Sequence, residues 1–266
     1  MTITRQMIAV DILKLRRQRA VMITAAVLTV GVCLAYYGIT IIRDGFIPGA
    51  RAVVDGTDLM GVWFGSFAAI LIGAEAGSID RANGVFRDLA ATGRSRIALF
   101  LTRVPAAAVV ALVFALSGFL ISLIVAFTFR GSTPVPSARL VFGSLGWLVL
   151  STVVVATLAV GIGTLIGSRS VTLTLLIGFQ TIGALMIAQA HFLGSLRDVL
   201  LPYALGDLRP GAWFPPADLS KPYAPPISYL PDYVLPMGFA VGVLVIIAWV
   251  AIPAILGAYR TSTVDA

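Results

Sequence analysis

Six apolar stretches, each long enough to cross a bilayer as a helix, occupy most of this 266-residue chain. A hydrocarbon core of ~30 Å requires about 20 apolar residues in helical form. The stretches lie at residues 20–42, 59–74, 97–129, 140–166, 171–194 and 236–259. The composition agrees, since 59% of the residues are hydrophobic and only 12% are charged. The sequence therefore predicts an all-α membrane protein, a single transmembrane domain with six transmembrane helices.

Charged residues are nearly absent from the six stretches. Arg103 is the one exception, and its place near a helix end predicts that it snorkels to the lipid headgroups. No carboxylate lies in a predicted span, so the proton relay found in many proton-driven pumps has no obvious carrier here.

The distribution of cations predicts the orientation. Lysine and arginine accumulate in cytoplasmic loops. A cytoplasmic N-terminus places 12 of the 19 cations on the inner side and leaves the outer loops neutral, so the inner side holds the whole net charge of +7. An even number of spans returns the C-terminus to the cytoplasm. We expect a multi-pass cell-membrane protein whose basic charge serves topology and contact with the lipid bilayer, not nucleic-acid binding.

Residues 1–19 form a basic leader that precedes the first span. Apolar positions at helical spacing predict an interfacial amphipathic helix along the inner surface. Asp11 and Lys14 interrupt its apolar side, so a plain topogenic flank remains the alternative.

Small residues recur at every fourth position of the second span. Such residues allow membrane helices to approach closely, because lipid provides no hydrophobic drive for their association. The sequence therefore predicts a helix-packing stripe at Gly61, Gly65, Ala69, Gly73 and Gly77.

Two loops stand out by their composition. Residues 75–96 form the richest polar segment, predicted to be a cytoplasmic loop that contains a short amphipathic helix. Residues 195–235, together with Pro236, hold 9 of the 14 prolines. We expect this second segment to be an extracytoplasmic loop with a short helix around Leu196–Leu205 and a proline-rich lid. The lid either contacts substrate or packs over the bundle.

The fifth span carries two polar side chains on one face. Gln180 and His191 are 11 residues apart, and Ala184 lies on the same face between them. An amide or an imidazole is costly in lipid, so this face should meet protein or a wet cavity. It is either a translocation pathway or dimer seam, or the site of an ordinary interhelical hydrogen bond.

Several kinds of chemistry have no residues to support them. The two lysines, Lys14 and Lys221, do not lie in a G-x-x-x-x-G-K-[ST] motif, so we expect no nucleotide site of the P-loop type. The single histidine excludes a di-histidine metal site such as H-E-x-x-H. We therefore expect neither an enzyme nor a metal or cofactor site in this chain.

The order of these features resembles an ABC-2-type permease, the membrane subunit of ATP-binding-cassette exporters. The resemblance covers the whole chain: a basic leader, six spans, a charged loop after span two and a long outer loop before span six. Its closest local match is E-A-G-S-I-D-R-A-N-G-V-F-R-D-L-A-A-T-G-R-S-R over residues 75–96, similar to the family's region of a glutamate followed by a coupling helix. Gly84 and Thr92-Gly93-Arg94 depart from that pattern.

The resemblance implies a mechanism. Two permease chains, identical or related, would pair around a central pathway, and each would dock a separate P-loop ATPase subunit that binds ATP and magnesium. The leader and the coupling region would make the docking contacts, and the implied coupling residues are Glu75, Asp80, Arg81, Phe86, Arg87, Asp88 and Leu89. The alternative is a membrane accessory or assembly protein that transports nothing.

Overall fold

The computed structural model describes residues 2–82, 95–189, 199–208 and 239–263. All regular structure in these residues is helical, and they contain no strand. Eight helices follow one another: α1 (Thr2–Arg17), α2 (Arg19–Asp44), α3 (49–82), α4 (Arg96–Thr128), α5 (Ala138–Ile166), α6 (169–189), α7 (Leu201–Asp207) and α8 (Phe239–Thr263). One five-residue π-helical turn interrupts each of α2, α3 and α6, at Val27–Gly31, Leu59–Trp63 and Phe179–Gly183 respectively.

Five of these helices, α2, α3, α4, α5 and α8, are long and apolar enough to cross a membrane. The chain is therefore an all-α protein of multi-pass membrane type, as the sequence predicts. Helix α6 covers most of the predicted fifth span, and residues 190–194 of that span lie outside the described residues. A total of six spans and cytoplasmic termini stay predictions.

Helix α3 extends beyond the predicted span 59–74 at both ends. It begins at Gly49, directly after Pro48, whose extended backbone (ψ 131°) sets the start of the helix. It ends at Ala82, inside the segment predicted as a loop. The charged residues near its two ends do not interrupt the helix, because Asp55, Glu75 and Asp80 pair with cationic side chains of the protein. The carboxylates on α3 are Asp55, Asp58, Glu75 and Asp80.

The small-residue stripe of α3 lies in the core of the bundle. All five of its positions are buried. A Cβ atom added at Gly73 would lie 2.6 Å from Ala159 Cβ and 2.7 Å from the carbonyl oxygen of Ala156, both on α5. One added at Gly77 would lie 2.6 Å from the carbonyl oxygen of Val160. The backbones of α3 and α5 therefore meet at a distance that only glycine permits at these two positions.

Two tryptophans donate hydrogen bonds to α7 and to the residues just before it. The indole Nε1 of Trp147 on α5 donates to the carbonyl oxygen of Leu205 at 2.7 Å, and Trp249 on α8 donates to Val199 at 2.7 Å. Trp249 lies ten residues into α8, about 15 Å along the helix axis. The segment 199–208 therefore reaches toward the middle of α8 and does not lie over the end of the bundle. The proline-rich residues 209–235 lie outside the described residues.

We expect Gly73→Leu to destabilise the protein in detergent, because the new side chain would meet α5 backbone that has no room to move. Overpacking of this kind typically costs about 1–3 kcal/mol. Gly146→Leu on α5 is the matched control, because no atom lies within 4 Å of a Cβ added there. Thermal unfolding of both variants tests this, and equal midpoints would show that the stripe does not determine packing.

Candidate functional site

The leader helix α1 is packed against the membrane helices by one face. Met7 and Leu15 are buried on this face, and Asp11 and Lys14 lie between them at helical spacing. The two charged residues that interrupt the apolar side of the sequence are therefore turned toward α3 and α4. The end of the bundle that holds α1 is called the leader end below.

Asp80, in the last turns of α3, contacts two cationic side chains at the leader end. Lys14 Nζ of α1 lies 3.2 Å from Asp80 Oδ1, and Arg103 Nη2 of α4 lies 2.7 Å from Asp80 Oδ2. Each carboxylate oxygen thus has its own cationic donor on a different helix. Hydrogen bonds of this charged kind are about twice as strong as neutral ones.

Asp11 of α1 contacts both Thr102 of α4 and Lys14 of its own helix. Its Oδ2 accepts a hydrogen bond from Thr102 Oγ1 at 2.9 Å, and its Oδ1 lies 3.6 Å from Lys14 Nζ. Thr102 precedes Arg103 on α4, so the contacts form a ring through three helices. Asp11, Lys14, Asp80, Thr102 and Arg103 are called the leader cluster below. The cluster is formally neutral, with two carboxylates and two cations.

Arg103 does not snorkel, and that prediction is wrong. Its side chain is 6% exposed and that of Asp80 is 8% exposed. The guanidinium bends toward a carboxylate on the neighbouring helix, and this partner removes the need to reach the headgroups. An ion pair buried to this degree is costly to form, and removing one partner typically costs about 3–5 kcal/mol.

Glu75 forms a second link from α3 at this end. Its Oε2 lies 3.0 Å from Arg169 Nη1, at the first residue of α6. The glutamate is 9% exposed and the arginine 43% exposed, so solvent weakens this pair relative to the leader cluster. Helix α3 is therefore tied at one end to α1, α4 and α6.

The leader cluster borders a small cleft. Asp11, Lys14, Asp80 and Arg103 line it together with apolar side chains of the same helices, among them Leu15 and Ala76. Within the described residues, no three His, Cys, Asp or Glu side chains come together in a way that could hold a metal ion. The site connects three helices through paired charges and a hydrogen bond.

The predicted coupling residues divide into two groups. Glu75 and Asp80 lie on α3, buried and paired, whereas the prediction places them in a solvated loop. Arg81 belongs to the last turn of α3, and its side chain lies outside the described part of the structure. Phe86, Arg87, Asp88 and Leu89 also lie outside it. Their role in coupling stays a prediction.

Gln180 bridges two interrupted helices. It lies in the π turn of α6, and its Nε2 donates to the carbonyl oxygen of Val62 in the π turn of α3. A π turn disturbs the regular backbone pairing, which makes a carbonyl available to a side chain. Ala184 is buried one turn further along, and His191 lies outside the described residues. The interhelical hydrogen bond is present, and a pathway or dimer seam stays a prediction.

A second polar cluster lies near the opposite end of α3. Asp55 Oδ2 accepts a hydrogen bond from Tyr36 Oη at 2.7 Å and lies 3.5 Å from Arg51 Nε. The neighbouring Tyr37 Oη donates to the carbonyl oxygen of Ala52 at 2.6 Å. Asp55 is buried on a helix that is long and apolar enough to cross a membrane, and it lies just before the predicted span 59–74.

Sequence reasoning identified Asp80 but missed its partners. The sequence pattern does not indicate that Lys14, Arg103 and Arg169 each pair with a carboxylate of α3. The useful signal was Asp11 and Lys14 on the apolar side of α1, because a charge on a buried face requires an opposite charge nearby.

Comparisons of the chain with protein-family models, with curated proteins and with solved structures find no match.

We expect Asp80→Asn to lower the free energy of unfolding by about 3–5 kcal/mol, because Arg103 would keep its buried charge without a counterion. Asp44→Asn is the matched control, since it removes the carboxylate of an ion pair whose arginine is 76% exposed. The double variant Asp80→Leu/Arg103→Met should recover much of the loss. Denaturation in detergent tests all three, and equal stability of Asp80→Asn and Asp44→Asn would contradict the cluster's importance.

For Gln180→Ala we expect a small loss of stability, of about 0.6 kcal/mol, which is typical of one hydrogen bond between membrane helices. Hydrogen exchange should instead increase locally in residues 62–67, where the carbonyl loses its donor. A global loss of several kcal/mol would show that the packing of α6 depends on this amide.

Proposed function

We propose that this chain is the membrane-spanning permease subunit of an ATP-driven ABC exporter, working as a pair of permease chains with separate ATPase subunits. The observation that carries the proposal is the leader cluster. It joins the leader helix and the end of α3, the two elements that would contact an ATPase, to one of the membrane helices.

The leader cluster supplies a route for force. A displacement of residues 83–94 acts first on the end of α3, to which they are directly connected. Asp80 passes it to α1 through Lys14 and to α4 through Arg103. Glu75 passes it to the start of α6 through Arg169. A displacement of residues 83–94 would thus move α1, α3, α4 and α6 together.

The packing of α3 extends the same route across the bundle. Its glycines lie against α5 backbone at Gly73 and Gly77, so α3 has little room to slide independently. Close-packed interfaces shift between discrete arrangements and do not deform continuously. Movement of α3 would therefore shift α5 and open or close a pathway between chains.

The energy source must come from a partner in this proposal. Both lysines of the chain lie outside any P-loop pattern, and Lys14 is engaged with Asp80. A separate ATPase docked at the loop after α3 would supply the hydrolysis.

Affinity purification of the tagged chain from its native membrane in mild detergent tests this proposal. We expect a P-loop ATPase to co-purify in stoichiometric amount, and the double reversal Arg81→Glu/Arg87→Glu to abolish its binding without unfolding the bundle. Arg43→Glu/Arg139→Glu is the matched control, because it makes the same charge change at two exposed positions at the opposite end.

Two results would overturn the proposal in different ways. A wild-type chain that purifies without an ATPase would favour the accessory-protein alternative. An ATPase that stays bound to Arg81→Glu/Arg87→Glu, or that leaves equally in the control variant, would show that the loop after α3 is not the docking site.

A further inference from the structure

The exposed side of α1 and the first residue of α2 carry cations that form no salt bridge within the described residues. Arg16, Arg17 and Arg19 are exposed, and none forms a salt bridge within the described part of the chain. They follow one another at the junction of α1 and α2. The leader cluster fixes which face of α1 points inward, so Arg16 and Arg17 stay on the exposed side.

The chain path places this junction at the start of a helix that is long and apolar enough to cross a membrane. Gln18 alone separates α1 from α2, and its backbone amide donates to the carbonyl oxygen of Leu15 at 3.0 Å. The membrane-crossing stretch begins at Arg19. The last turn of α1 is therefore held beside the first turn of a membrane helix, at the depth of lipid headgroups.

The same face of α1 also exposes apolar side chains. Val10 is 51% and Leu13 is 52% exposed. Both lie on the exposed side of the helix, next to Arg17 at helical spacing. This combination suits a membrane interface, where apolar side chains enter the acyl boundary and arginines contact phosphates. An acidic protein surface would match the arginines but would gain less from Val10 and Leu13 in water.

We propose that Arg16, Arg17 and Arg19, with Val10 and Leu13, form a binding surface for anionic phospholipid headgroups. The guanidinium groups bind the phosphate and the further negative charge of the headgroup, and the apolar pair lies among the upper acyl carbons. Arginine suits this role because its planar fork can donate two hydrogen bonds to one phosphate.

Native mass spectrometry of the full-length chain in detergent tests the surface, with phosphatidylglycerol and phosphatidylcholine of matched acyl chains as probes. We expect the wild type to retain phosphatidylglycerol preferentially. Arg16→Gln/Arg17→Gln should weaken that retention by about fivefold for each arginine removed. Arg16→Lys/Arg17→Lys, which keeps the charge, should lose less.

Arg43→Gln is the matched control, because this exposed arginine lies at the other end of α2 and should leave phosphatidylglycerol retention unchanged. A thermal melt of each variant shows that it is folded. Equal retention of the two lipids by the wild type would overturn the proposal. So would an equal loss in Arg43→Gln, which would indicate a diffuse attraction. Loss of a co-purifying protein from Arg16→Gln/Arg17→Gln, with lipid retention intact, would assign the arginines to a protein partner.

Discussion

A buried charge in a membrane protein is costly unless an opposite charge lies close to it, and the arrangement at Asp80 satisfies this constraint. The carboxylate lies on α3, and its two counterions come from α1 and α4. Because both cations are needed, the leader helix cannot leave the bundle and α4 cannot rotate without exposing an unpaired charge. The register of three helices is thereby defined at one end of the protein.

Close backbone packing supplies the second restraint on α3. Asp80 fixes the helix at the leader end, and Gly73 and Gly77 fix its distance from α5 further along. The two restraints differ in character, since ion pairs depend on direction and charge whereas glycine contacts depend on shape. Together they make α3 the element through which a local displacement reaches the other helices. The exporter proposal depends on this property.

The sequence predicted the helical membrane class and the stripe at Gly61 to Gly77, because both follow from local pattern and spacing. It did not predict the full length of α3, since charge alone indicated loops. Tyr36, which contacts Asp55, and both cations that contact Asp80 are distant in sequence. Arg103 shows the limit most clearly. Hydropathy alone cannot distinguish an arginine that snorkels from one that forms an ion pair. For Arg103 the difference depends on Asp80, which lies 23 residues earlier on another helix. The packing of α3 against α4 determines which of the two the side chain does.

The leader cluster also has a consequence for how the protein enters the membrane during synthesis. Lys14 leaves the ribosome first, Asp80 follows 66 residues later, and Arg103 emerges after a further 23. Of the two cations that contact Asp80 in the folded protein, only Lys14 has been made before Arg103. A leader helix retained beside the insertion machinery would lower the cost of inserting α3, and α4 would then complete the neutralisation. The order of charges along the chain thus matches the order in which each is needed.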